Sequence, residues 1–363
     1  MKIQQIETYS QTNLSIVRVT TDDGSTGWGQ ISPFNADISA IVLHRQISAH
    51  ALGQNAFEIS SLVDRILEAT YKFPGSYICR ALTGLETALW DLRGKIEEKS
   101  VCELIGGTPG PFPVYGSSMR RDIQPKDEAE RLMRLRDQYG YQAFKIRVGS
   151  VCGHDQDQWE GRTETLVPTV RKAIGQNIAL LVDGNSCYTP RKAIQVGQML
   201  EDNQVCHFEE PCPYWELEWT AEVAAALNLD VAGGEQDCWL PVWRRMIDID
   251  AVDVVQPDIC YIGGLDRAMR VAKMAQAKGK LCVPHSANLS LVTVFSLHLM
   301  GAIENAGNYV EFSIEPTGWT KKLFTPALTV IDGKVQIPSA PGWGIEIKPD
   351  WLESANYQLS TAS

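Results

Sequence analysis

Three acidic residues close three successive strand-like runs at one interval: Asp183 in ALLVDGN, Glu209 in CHFEEP and Glu235 in DVAGGEQD, each 26 positions after the last. One strand, one helix and two short connections of an α/β barrel take about that many residues, because ~250 residues are shared among eight units. The interval therefore places three carboxylates on one rim of a closed parallel barrel, one per strand. A single Asp or Glu after a strand is more often a cap for the next helix. Three at equal spacing supply hard oxygen ligands converging on a point, a donor set suited to a divalent cation such as Mg²⁺.

The rest of the 363 residues fits that frame. Strand-like runs occur at 114–118, 143–148, 178–183, 205–209, 230–234, 252–256, 281–283 and 309–312. Helical patterns fill the gaps, among them 127–139, 164–174, 191–202, 216–227, 265–278 and 291–304. Eight strands alternating with helices favour a closed barrel with right-handed crossovers. The eighth helix is in doubt, which makes the barrel (β/α)7β. Residues 1–110 read as an α+β capping domain: alternating strands at 3–8, 14–20 and 26–31, then helical patterns near 36–50, 55–70 and 78–97. The Gly- and Pro-rich stretch 106–111 separates it from the barrel, residues 111–320. The tail, 321–363, is expected to return to the capping domain.

Composition excludes several classes. A net charge of −11 argues against a nucleic-acid partner, which needs a basic footprint. It also means that an anionic substrate must be held by local cations. No apolar run approaches the ~20 residues of a membrane span, and the first residues lack the apolar core of a secretion signal. Nine cysteines without a CxxC pair read as reduced thiols, so a cytoplasmic setting is expected.

Polar residues at the C-terminal strand ends of such a barrel face its active site. Taken in order they are Lys145 and Arg147, on one face by their i, i+2 spacing, then Asp183, Glu209, Glu235, Asp258, His285 and Glu311. This ordered set, with the two-domain layout, resembles the enolase superfamily and within it the mandelate racemase subgroup. The resemblance covers nearly the whole chain. It implies that Asp183, Glu209 and Glu235 hold Mg²⁺, that His285 and Asp258 form the catalytic dyad, and that Glu311 donates a hydrogen bond to the substrate carboxylate. Asn185 matches a position that often contacts the substrate's 2-hydroxyl. Segments 30–34 and 71–77 would be capping loops, and Trp215, Trp239 and Trp319 could wall the pocket. His44, His50, His154, His207 and His298 have no partner pattern and read as structural or surface residues.

One departure matters. Many members carry Lys-x-Lys, the second lysine being a base opposite the histidine; here that position is Arg147. Guanidinium is a poor base. The expectation is a hydro-lyase on a small polyhydroxy carboxylate, an aldonic or aldaric acid. His285 removes the α-proton and the 3-hydroxyl leaves, giving a 2-keto-3-deoxy acid. Lys145 stabilises charge, though a role as base stays open. A racemase, epimerase or lactone cycloisomerase through the same enediolate is the alternative, and a metal-binding barrel with a sensing or structural role is the non-enzymatic one. Assembly into a homo-oligomer is expected by the same resemblance.

Overall fold

The computed structural model describes residues 1–316 and 318–362. The chain starts with three antiparallel strands, β1 (Ile3–Gln11), β2 (Leu14–Thr21) and β3 (Thr26–Ile31). One face of this sheet lies on the long helix Ser76–Ile96. The approach is close because β3 presents glycines to the helix. A Cβ on Gly27 would stand 2.1 Å from the Ala88 carbonyl oxygen, and one on Gly29 would stand 2.4 Å from that of Gly84.

Eight parallel strands follow: β4 (Pro111–Ser117), β5 (Ala143–Arg147), β6 (Ala179–Asp183), β7 (His207–Glu209), β8 (Asp230–Gly233), β9 (Val254–Val255), β10 (Leu281–Cys282) and β11 (Val310–Ser313). Each pairs with the next from β4 to β10, and β11 returns to pair with β4. A parallel bridge from Cys282 of β10 to Ala306, four residues before β11, closes the circle. This is a TIM barrel carrying an N-terminal capping layer. Helices follow β4 through β10, whereas β11 leads into a single 3₁₀ turn, Gly318–Thr320. The structure adds helix Leu240–Asp248 to those read from sequence. It begins with Pro241 in its first turn and buries Trp243, Met246 and Ile247.

Buried hydrogen bonds join the two layers. Glu86, fully buried on the long helix, accepts from the amides of Leu265 (2.9 Å) and Asp266 (2.8 Å), the first residues of helix Leu265–Gln276. Gln30, at the end of β3, accepts from the Leu291 amide at 2.8 Å and donates to Ser290 Oγ at 2.9 Å. The capping layer thus satisfies orphan amides at two barrel-helix N-termini. The tail closes the arrangement. The Trp343 amide donates to Asp91 Oδ1 at 2.9 Å and its indole to the Thr87 carbonyl at 2.9 Å. Strand Asn356–Thr361 then pairs antiparallel with β1. Among the described residues, no helix is long and apolar enough to cross a membrane.

Candidate active site

Pleating directs every second residue of β5 inward, so Lys145 enters the barrel centre with no exposed surface. Its ammonium lies 2.6 Å from Glu209 Oε1 and 2.9 Å from Glu311 Oε1. Burial alone would lower its pKa, but the carboxylates of Glu209 and Glu311 override this and hold it well above the ordinary lysine value. Glu311 also accepts from Ser117 Oγ and from the Ser286 amide, both at 2.7 Å. Burial would raise the Glu311 carboxyl, yet Lys145 and His285 keep it below the usual range. Glu311 is therefore an ionised acceptor. Glu315, four residues further on, pairs with Arg131 at 2.7 Å.

Register brings the acidic residues side by side, Asp183 opposite Glu209 on neighbouring strands. Glu235 follows β8 by two positions, in the loop. Each carboxylate leans on a different cation: Asp183 Oδ2 lies 3.3 Å from Arg147 Nε, Glu209 is held by Lys145, and Glu235 Oε2 lies 3.2 Å from His285 Nε2. Among the described residues, no three acidic, His or Cys side chains already stand at ligating distance from a common point. The donor set nonetheless fits a hard divalent cation. All three carboxylates are buried, and Asp183 Oδ2 has no hydrogen-bond donor. Burial raises the Asp183 carboxyl, and the charge of Glu209 adds to it. Burial also pushes Glu235 up to about 7, with Glu209 and Asp183 adding to the shift and His285 opposing it. Glu209 is the exception. Burial would raise it, but Lys145 and His207 hold it well below the carboxylate range.

His285 and Asp258 come together from adjacent strand ends, Nδ1 to Oδ2 at 2.7 Å. The other oxygen of Asp258 accepts from the amides of Cys260 (2.7 Å) and Tyr261 (3.1 Å), capping the short helix Ile259–Ile262. This cap orients the carboxylate, which orients the ring and leaves Nε2 facing the acidic cluster. Burial disfavours imidazolium, but Glu235 and Asp258 outweigh it and lift His285 to about 10. Glu235 bears the repulsion of Glu209 and Asp183, whereas His285 is attracted by Glu235, Asp258 and Glu311.

Several neighbours were not read from sequence. His207, taken as structural or surface, lies with Nε2 3.4 Å from Glu209 Oε2, and Gln256 Nε2 donates to the same oxygen at 2.8 Å. The i, i+2 spacing of His207 and Glu209 on β7 was the available signal. Asn185, in left-handed backbone just past β6, accepts from Arg121 Nη2, and Arg121 Nε donates to the Gly149 carbonyl at 3.0 Å. Of the tryptophans, Trp319 stacks edge-on with Phe34 of the capping layer at 5.9 Å, while Trp215 is 60% exposed. In the polar segment 150–161, Asp155 and Asp157 accept from the amides of Thr189 and Thr163, so both serve as braces.

Residues 3–106 match the mandelate racemase / muconate lactonizing enzyme N-terminal domain, and residues 127–351 match the enolase C-terminal domain-like family. An arabinonate dehydratase of Saccharolobus solfataricus is 26% identical over 92% of this chain and 88% of its own. A solved structure from Roseobacter denitrificans, of a protein proposed to be a racemase, is 54% identical, covers 100% of both chains and superposes with a TM-score of 0.98. A mandelate racemase/muconate lactonizing protein of Paracoccus denitrificans, solved complexed with magnesium, is 27% identical over 99% of this chain and 98% of its own, with a TM-score of 0.90. The chain belongs to the mandelate racemase subgroup of the enolase superfamily.

Proposed function

We propose that this protein is a Mg²⁺-dependent hydro-lyase that removes water from a polyhydroxy carboxylic acid, aldonic or aldaric, to give a 2-keto-3-deoxy acid. In this reading residues 1–110 cap the site, 111–320 form the barrel and 321–363 return to the cap. Asp183, Glu209 and Glu235 would hold the cation, which supplies positive charge against the second negative charge that α-proton removal places on the carboxylate.

The observation carrying the reading is the dyad: His285 Nδ1 is fixed by Asp258 at 2.7 Å, so Nε2 is presented to the cavity beside the acidic cluster. A cation held by Glu235 would draw that carboxylate's charge away from the ring, and His285 Nε2 would then be the group that accepts the α-proton. The same imidazolium then protonates the departing 3-hydroxyl on that face. Lys145, clamped between Glu209 and Glu311, and Arg147, a guanidinium, are fixed positive charges near the carboxylate. Neither is poised to act as a base on the opposite face, which favours elimination over racemisation. Glu311, held between Lys145 and the Ser286 amide, would fix both, and would donate to the substrate carboxylate when it carries a proton. Asn185, with its oxygen committed to Arg121, is left its amide N–H groups for a substrate hydroxyl.

The experiment is a screen of the Mg²⁺-loaded protein against aldonic and aldaric acids in D₂O, reading keto acid with a carbonyl reagent. Keto acid from wild type and none from His285→Asn is the expected result. Recovered substrate of inverted configuration carrying deuterium, without keto acid, would replace elimination by epimerisation.

A further inference from the structure

One guanidinium near the dyad has no anion. Arg80 projects half-buried from the long capping helix, and among the described residues no carboxylate pairs with it. Nη1 donates to Ser32 Oγ at 2.6 Å, and the guanidinium also hydrogen-bonds the Tyr261 hydroxyl. Its Cζ lies 3.6 Å from the centre of the Tyr261 ring, a stacked cation–π contact. That ring centre is in turn 5.9 Å from the centre of the His285 imidazole. The guanidinium carbon is thus no further than about 9.5 Å from the ring proposed to take the α-proton. Stacking and these bonds fix its plane, and among the described residues no carboxylate takes its remaining donors.

Position and chemistry together are informative. The cations already assigned to the reacting carboxylate, Lys145 and Arg147, come from β5. Arg80 comes from the capping layer, beside the loops after β8 and β9, where Glu235 and Tyr261 lie. The terminal carbons of a six-carbon diacid are roughly 6 Å apart at bond lengths near 1.5 Å. A substrate with its α-carbon at His285 Nε2 can therefore bring its far end to Arg80. In a chain of net charge −11, a second negative group needs such a local cation.

We propose that Arg80 is a specificity residue that seats an anionic group at the end of the substrate remote from the reacting carboxylate, so that dianionic sugar acids are preferred over aldonates. The inference rests on the sugar-acid reading for the reacting end. The shared chemistry is a planar or tetrahedral oxyanion meeting the guanidinium fork, either the second carboxylate of an aldaric acid or a terminal phosphate ester.

The test measures binding rather than turnover. Titration calorimetry is run on Mg²⁺-loaded His285→Asn protein, with and without Arg80→Gln, using aldarates, aldonates of matched configuration and 6-phosphoaldonates. The expected result is a dianion binding roughly 10- to 100-fold more tightly than its monoanion, a preference that Arg80→Gln erases while leaving the monoanion's affinity unchanged. Arg80→Lys should restore part of it. The phosphate arm identifies which oxyanion is seated. Equal loss for dianion and monoanion, a preference that survives Arg80→Gln, or no preference in any matched set overturns the inference. Keto-acid formation by the wild type is scored separately, so absence of turnover counts against the hydro-lyase reading alone.

Discussion

His298 offers a measurable test of how the barrel is tied to the tail. It is fully buried on helix Leu291–Met300. Its Nδ1 accepts from the Cys102 amide at 2.9 Å, and Nε2 lies 3.2 Å from the Trp343 carbonyl oxygen, to which it donates. The ring is satisfied only when neutral, since a proton on Nδ1 would set one N–H against another. Burial accordingly drives its pKa from 6.5 down to about 3, with the Trp343 carbonyl opposing. The unfolded chain takes up this proton near pH 6.5 and the folded chain near 3, so between those values the unfolded state binds one proton more. Stability from this residue is complete above pH 6.5 and declines by about 1.4 kcal/mol per unit as the pH falls. At pH 4.5 the loss is roughly 3 kcal/mol. His298→Gln removes the titration and keeps a donor for Trp343, but deprives the Cys102 amide of its acceptor, at a cost of about 1–3 kcal/mol near neutrality. Urea unfolding of both proteins between pH 7 and 4.5, followed by tryptophan fluorescence, isolates the effect because all other groups are shared. Wild type should lead by about 1–3 kcal/mol at pH 7 and lose roughly 3 kcal/mol relative to the variant by pH 4.5, ending level with it or behind. Parallel stability curves would refute the assignment.

Asp258→Asn should lower keto-acid formation by about 10²- to 10⁴-fold without unfolding the protein, because the amide can no longer support imidazolium on His285; turnover within a few-fold of wild type would remove Asp258 from the dyad. Mg²⁺ should raise the melting temperature of the wild type, by an amount equivalent to about 2.7 kcal/mol at one hundred times its Kd. Glu235→Gln should blunt that rise, and equal shifts in the two proteins would place the cation elsewhere. Gly29→Ala forces a methyl to within 2.4 Å of the Gly84 carbonyl and should cost at least about 1–3 kcal/mol. A variant that melts with its parent would mean that β3 and the helix can separate freely.

The barrel and its acidic rim were readable because both obey a period. Each β-helix unit has nearly the same length, so Asp183, Glu209 and Glu235 recur at 26 positions, and β6 and β7 then set Asp183 beside Glu209 by simple register. The position of His285 next to Asp258 followed from the same unit length. What the period could not convey is which cation each carboxylate meets. Glu209 rather than Asp183 takes Lys145, and that choice depends on side-chain reach across the barrel. Arg80 and Arg121 escaped notice for a related reason. One lies on a helix and the other on a loop, neither ends a strand, and each is brought to the site by tertiary packing of segments far apart in sequence. His207 was legible in principle, sharing the inward face of β7 with Glu209, but an isolated histidine gives no sign of its partner.

The pairing of β1 with the strand Asn356–Thr361 bears on the order in which the protein can assemble. Tyr357 and Glu7, which hydrogen-bond across that pair, are 350 positions apart. At roughly 5–20 residues per second, the ribosome releases β1 tens of seconds before its neighbour exists. Through that interval one flank of the first sheet must stay open, a template for a stray strand from another nascent chain. Chaperone dependence during translation should therefore centre on this edge more than on the barrel, where β4 must wait for β11 but the other strands meet a neighbour one unit later.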